Sequence, residues 1–151
     1  CYGPITESNR QSILLDCPEV YFIGEVKLAN FPRSHHNYLG IWTFDQLQNN
    51  LTDYSNIILL SKAEADPVIV KQAMAAGCGI VITKECSANL DICKPWITLL
   101  DENKLTNKNY IHEMITSNRE TSKLLRDEIR AYAKTEFSWD YIFHEKYLKL
   151  L

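Results

Sequence analysis

Glycine is scarce: five residues, at positions 3, 24, 40, 77 and 79. That scarcity excludes two phosphate-binding loops, because no GxGxxG follows the first strand-like run and no GxxxxGK[ST] occurs. No GxSxG elbow is present, which disfavours a hydrolase of that type. Long apolar runs are missing too. Runs such as Ile57–Leu60 fall far short of the ~20 residues a membrane-spanning helix needs, so no transmembrane segment is expected. No charged-then-apolar leader opens the chain. Basic excess is absent: 16 Lys and Arg face 19 Asp and Glu, for a net charge of −3. A broad nucleic-acid footprint needs a basic face, so no nucleic-acid partner is expected. The five cysteines (1, 17, 78, 86 and 93) include no CxxC pair. The expectation is reduced, mostly buried thiols in a cytoplasmic protein, with no metal site.

What is there suits one folded domain. The 151 residues are 46% hydrophobic and 23% charged, enough for a real core. Short β-branched runs predict strands at Cys1–Gly3, Val20–Ile23, Asn56–Leu60, Gly79–Thr83 and Trp96–Leu99. The runs are continuous rather than alternating, as in strands buried on both faces. Helices are expected between them. Glu7–Leu15 is a weak candidate. Thr43–Thr52 opens with a capping-box pattern at Thr43 and Gln46. Asp66–Ala76 has Asp66 as cap, Pro67 at the first helical position and Gly77 at the exit. A long helical region from Tyr110 is expected to split at Ser117, where Ser117 and Glu120 repeat the capping pattern. A last helix from Ser138 carries Trp139, Ile142, Phe143, Tyr147 and Leu151 at helical spacing. Strands alternating with helices predict an α/β fold with a Rossmann-like parallel sheet. Glu25–Tyr38 lacks periodicity and reads as a loop.

Residues 61–83 are the informative stretch. A strand ends at Leu60, a short turn carries Glu64, and a helix starts at Asp66. Ligands of open α/β sheets bind beyond the carboxyl ends of the strands. A helix N-terminus there adds free N–H groups and a positive dipole end. Glu64 is placed to accept hydrogen bonds from hydroxyls. Val68 and Gln72 share a helix face, and helical side chains lean toward the N-terminus. The same residues also serve as core packing, cap and solvated turn, and spacing alone does not separate the two.

The stretch resembles the donor-binding motif of retaining GT-B glycosyltransferases of the "group 1" family. Ser61, Glu64, Pro67, Ala73, Met74, Ala75 and Gly77 match its S-x-x-E-G-F-P/G and E-A-M-A-x-G pattern. Three further segments are similar to family signatures in the right order: Cys1–Ile5 to the "vGpi" opening of the C-terminal domain, Phe22–Gly24 to "FxG", and Phe137–Asp140 to "FSW". The resemblance implies that 1–151 is a single nucleotide-sugar-binding, Rossmann-like domain, the C-terminal half of a GT-B fold. The start at Cys1 rather than Met adds the expectation of a longer parent chain that supplies an N-terminal acceptor domain.

Roles follow from the resemblance residue by residue. Glu64 would hold donor-sugar hydroxyls, and the backbone of Ala65, Asp66, Pro67 and Val68 would contact sugar and diphosphate. Gln72 would meet the ribose, and Arg10 or Lys62 the diphosphate. The partners implied are a nucleotide-sugar donor, the N-terminal domain and a glycan or other acceptor. The nucleotide-sugar is a substrate, so no cofactor is expected, and no general base is named. Three positions depart from the pattern. Gln72 replaces the second glutamate, Asp66 stands where an apolar residue is usual, and the basic pair after strand one is reduced to Arg10. These departures favour, as an alternative, a non-catalytic interaction module; a nucleotide-sugar epimerase half is a third reading. Among other residues, Trp42, Trp139 and Tyr38 are expected to pack in the core. His35-His36 is expected to be a solvated loop pair. Asn50-Leu51-Thr52 reads as a coincidental glycosylation sequon. The resemblance implies a final helix that crosses back onto the first domain, which would leave Phe143 and Tyr147 more exposed in this chain.

Overall fold

The structure, a computed structural model, describes residues 1–150, apart from the side chains of Lys146 and Leu150. Leu151, which the helical spacing placed on the last helix, lies outside the described residues. Three strands form a parallel sheet in the order β1-β2-β3: β1 is Asn56–Leu59, β2 Gly79–Ile82 and β3 Ile97–Leu99. Ile57 pairs with Ile80 and Leu59 with Ile82; on the far side Ile80 pairs with Ile97 and Ile82 with Leu99. Side chains alternate across a strand, and here both faces are apolar. Ile57, Leu59, Ile80 and Ile82 point to one cluster, built with Val70, Ala73, Met74, Trp96 and Ile129. Ile58, Leu60 and Val81 point to the other, built with Ile5, Leu14, Phe22, Ile111 and Ile115. The continuous apolar runs are therefore the signature of burial on both sides.

The two expected N-terminal strands pair in parallel, but only at isolated positions: Tyr2 with Ile23, and Ile5 with Val26. Gly3 and Gly24 lie at φ +119° and +144°, which breaks the ladder. The expected loop 25–38 ends in a third paired position, Tyr38 opposite Phe22. Tyr38 packs as expected, and its hydroxyl donates to the Gly24 carbonyl at 2.9 Å.

Helix α1, Phe44–Asn50, carries the predicted capping box, with Thr43 and Gln46 bonded in both directions. Asn50 of the sequon sits at its end and donates to Gln46. Helix α2, Val68–Ala75, exits through Gly77 at φ +82°, the left-handed conformation that glycine adopts without steric cost. Helices α3, Lys108–Leu124, and α4, Arg126–Phe137, follow, and α5 is the short turn Trp139–Tyr141. It continues through a wide π-type turn, Ile142–Tyr147, and a 3₁₀ turn, Leu148–Leu150.

Several expectations need correction. Glu7–Leu15 is not a helix; only Gln11–Leu14 forms a 3₁₀ turn, because Arg10 is left-handed at φ 55°. The long helical region breaks at Leu125, not at Ser117. Ile111, Ile115, Asn118 and Ser122 bury one continuous stripe of α3, which holds the chain helical through the capping pattern. Asn107 supplies the true cap, accepting from Tyr110 N–H at 3.1 Å. Trp139 is not core but 80% exposed; Trp42 is half-buried beside Tyr54. His35 is not simply solvated: one ring nitrogen lies 3.1 Å from the Leu15 carbonyl, and the other accepts from Asn37 N–H.

All five cysteines are free; Cys17, Cys78 and Cys86 are buried, while Cys93 is exposed. Burial pushes the Cys78 thiol up to about 11, against the opposing pull of Arg126 and Arg130. Among the described residues no helix is long and apolar enough to cross a membrane.

Candidate functional site

The site grows from the carboxyl end of β1. Leu60 and Ser61 continue the buried strand path, and the chain then surfaces at Lys62 and Ala63. Ser61 is the fixed point. Its carbonyl accepts from Thr83 Oγ1 at 3.2 Å, from Cys86 Sγ at 3.5 Å and from Arg10 Nη2 at 3.5 Å. Its hydroxyl lies 3.3 Å from Asn9 Oδ1, and Lys62 N–H donates to the Ser8 carbonyl at 3.0 Å. The turn after β1 is thus held by the turns after the first paired stretch and after β2. All three lie where the strand-end rule places ligands.

Glu64 is half-buried in this turn. Its charge reaches Cys86, whose thiol is pushed up first by burial and then by Glu64, against the opposing hydrogen bond with Thr83. Ala65, Asp66 and Val68 are exposed, and Pro67 is buried. Asp66 does not cap α2. Its carboxylate pairs with Lys71 at 2.6 Å, and Pro67 takes the cap position in extended conformation with no side-chain cap bond. The residue before proline is pushed to extended backbone; this sets Asp66 one residue too early to reach the first helical N–H groups. The N-terminus of α2 therefore has no side-chain acceptor of its own.

The eight residues singled out from sequence fall into two groups. Asp66, Val68 and Gln72 line a groove of about 850 Å³ with Lys71, Phe137 and Trp139. Gln72 also lines the cleft between α1 and α2, beside Leu47 and Thr52. Arg10, Lys62 and Glu64 instead surround Ser61, and none of them lines that groove. Ala65 and Pro67 connect the two groups. Lys62 is exposed and makes no ion pair among the described residues. Arg10 is committed: Nε donates to the Leu60 carbonyl at 2.6 Å, and Nη1 pairs with Glu102. Another cavity, of about 190 Å³, opens at the other end of β1, between Tyr2, Tyr21, Tyr54 and Asn56. It contains none of the eight residues singled out from sequence.

Sequence reasoning missed Glu102, Asn9, Thr83 and Cys86. The signal for Glu102 was its position just beyond β3, at the same carboxyl edge. Arg10 and Glu102 are 92 residues apart, and nothing local ties them together.

No protein-family model matches the chain, and no curated protein matches it in sequence. Among solved structures, it superposes on a chain of the "Crystal structure of GtfA/B complex" with a TM-score of 0.57. The match covers 95% of this chain at 14% identity. The chain thus shares its fold with part of that neighbour. The chain spans 36% of that neighbour's length, so the likeness concerns a Rossmann-like part of a larger protein. At this identity it shows the fold alone.

Proposed function

We propose that the chain is the donor-binding domain of a retaining glycosyltransferase, moving a sugar from a nucleotide-sugar to a glycan or other acceptor. The observation that carries this reading is the turn after β1. It sets a half-buried Glu64 and an exposed Lys62 directly ahead of α2, whose N-terminus lacks a side-chain cap. In that arrangement the N–H groups and dipole of α2 receive the diphosphate, with Lys62 and Arg10 supplying positive charge. Glu64 accepts hydrogen bonds from sugar hydroxyls. Gln72, just over one turn along α2, both donates to and accepts from a ribose hydroxyl. The leaving diphosphate gains negative charge as the glycosidic bond breaks, so these donors act most strongly on the transition state. The acceptor site belongs to an N-terminal domain of the same parent chain. Within this reading the donor needs no metal.

A nitrogen–proton NMR titration with UDP, GDP, ADP and CMP tests it. One nucleotide is expected to give saturable shifts over Glu64–Gln72. Lys62→Ala should weaken it about tenfold, the cost of one charge-assisted hydrogen bond. Glu64→Ala should weaken the sugar-bearing form of that nucleotide and leave the bare nucleotide unchanged. Flat titrations with all four would sink the donor reading. The ion pairs that already occupy Arg10 and Lys71 favour a second reading, a non-catalytic interaction module. Sugar transfer by the chain joined to its upstream domain would eliminate that one.

A further inference from the structure

The more buried cation at the site is already paired within the protein. Arg10 has a side chain only 11% exposed, in ion pair with Glu102. Nε donates to the Leu60 carbonyl at 2.6 Å, and Nη2 lies 3.5 Å from the Ser61 carbonyl. An arginine has five N–H donors in a planar fork. Three of the five are engaged here, and the fork stands at the carboxyl end of β1, beside the turn that carries Glu64.

The two partners differ in freedom. Arg10 cannot leave: its backbone is left-handed at φ 55°, closed by Arg10 N–H to the Thr6 carbonyl at 3.2 Å. Glu102 can. Its side chain is 52% exposed, on a 3₁₀ turn, Glu102–Lys104. That turn keeps its shape without the Glu102 carboxylate. Asp101 caps it by accepting from Asn103 N–H at 3.0 Å, and Asp101 N–H donates to the Tyr110 hydroxyl at 2.9 Å. A carboxylate a few ångströms from a diphosphate is repelled, so Glu102 and the ligand compete for one guanidinium.

Resting on the donor-site reading, we propose that Glu102 is an intramolecular stand-in for the donor diphosphate. It balances the charge of Arg10 in the empty domain and is displaced when the diphosphate arrives. Glu102 is thus a positioning residue that lowers affinity for free diphosphates, and Arg10 is the group it controls.

Isothermal titration with UDP, GDP, ADP and inorganic pyrophosphate tests the latch in wild type, Glu102→Gln, Arg10→Ala and the double variant. Removing the competing carboxylate should tighten binding about fivefold, the scale of a partly exposed ion pair. The gain should vanish in the Arg10→Ala background. An unchanged or weaker affinity in Glu102→Gln overturns the latch. An equal gain without Arg10 also overturns it, since loss of a nearby negative charge would then suffice. A gain with pyrophosphate but with no nucleotide keeps the latch and sinks the donor reading. Silence of all four probes in wild type and Glu102→Gln overturns both. The Arg10 Nε–H resonance supplies a second readout: it should move in Glu102→Gln without ligand while the backbone spectrum stays put.

Discussion

Two side chains, one present and one absent, fix the register of α3 against the sheet. Asn118 Nδ2 lies within hydrogen-bond distance of the Ile80 and Trp96 carbonyls and of Thr98 Oγ1, at 3.0–3.2 Å. Its Oδ1 accepts from Asn56 Nδ2 at 3.2 Å. One buried amide thus bridges all three strands. Gly79 makes room for it: a Cβ there would overlap Ser122 Oγ and come 2.6 Å from Asn118 Oδ1. Gly79→Ala should destabilise the domain by about 3 kcal/mol, the upper range of overpacking. Urea denaturation should show a lower midpoint with unchanged slope; a midpoint within error of wild type would refute the close fit. Gly79 was visible in the sequence only as the start of a strand, because its constraint comes from a helix some 40 residues later.

At the scale of elements, local chemistry was readable wherever both partners were local. The capping box of α1 pairs Thr43 with Gln46, three residues apart, and it forms as the pattern requires. Thr43→Ala should cost about 1 kcal/mol and raise amide exchange across the first turn of α1. Exchange confined to wild-type rates would show that packing by Leu47 alone holds the helix. The same pattern at Ser117 and Glu120 failed, since the buried stripe of α3 outweighs one cap of this size. Asp66 failed as a cap for a different reason. Lys71 offered a competing charge, and Pro67 shifted the helix start. The candidate site was legible to the extent that a strand-end turn and its helix are contiguous. Glu64 falls in the turn ahead of α2 and Gln72 falls within the helix, whereas Pro67 takes the cap in place of the expected first helical position. Arg10 bonds the Leu60 carbonyl just beyond β1, and its engagement by Glu102 was out of reach of the sequence.

At the scale of the molecule, the C-terminal turns carry an aromatic face. Trp139 is 80% exposed, Phe143 52% and Tyr147 61%, so the expected exposure of Phe143 and Tyr147 holds. Of the three tryptophans, Trp96 is buried and Trp42 half-buried. Iodide should therefore quench one red-shifted emission component, and Trp139→Phe should remove it. A Trp139→Phe protein with unaltered quenching would mean that this face is covered in solution.

The sequence by itself determined the alternation of strands and helices, the two-faced burial of the sheet, the α1 cap and the Gly77 exit. Each of these rests on residues within a few positions of one another, where propensity and periodicity operate. Tertiary structure alone decided the breaks in the first two strands, the continuity of α3, the Asn118 bridge and the pairing of Arg10 with Glu102. Those depend on which groups meet across the fold, and a buried stripe or a long-range ion pair outweighs any single local signal.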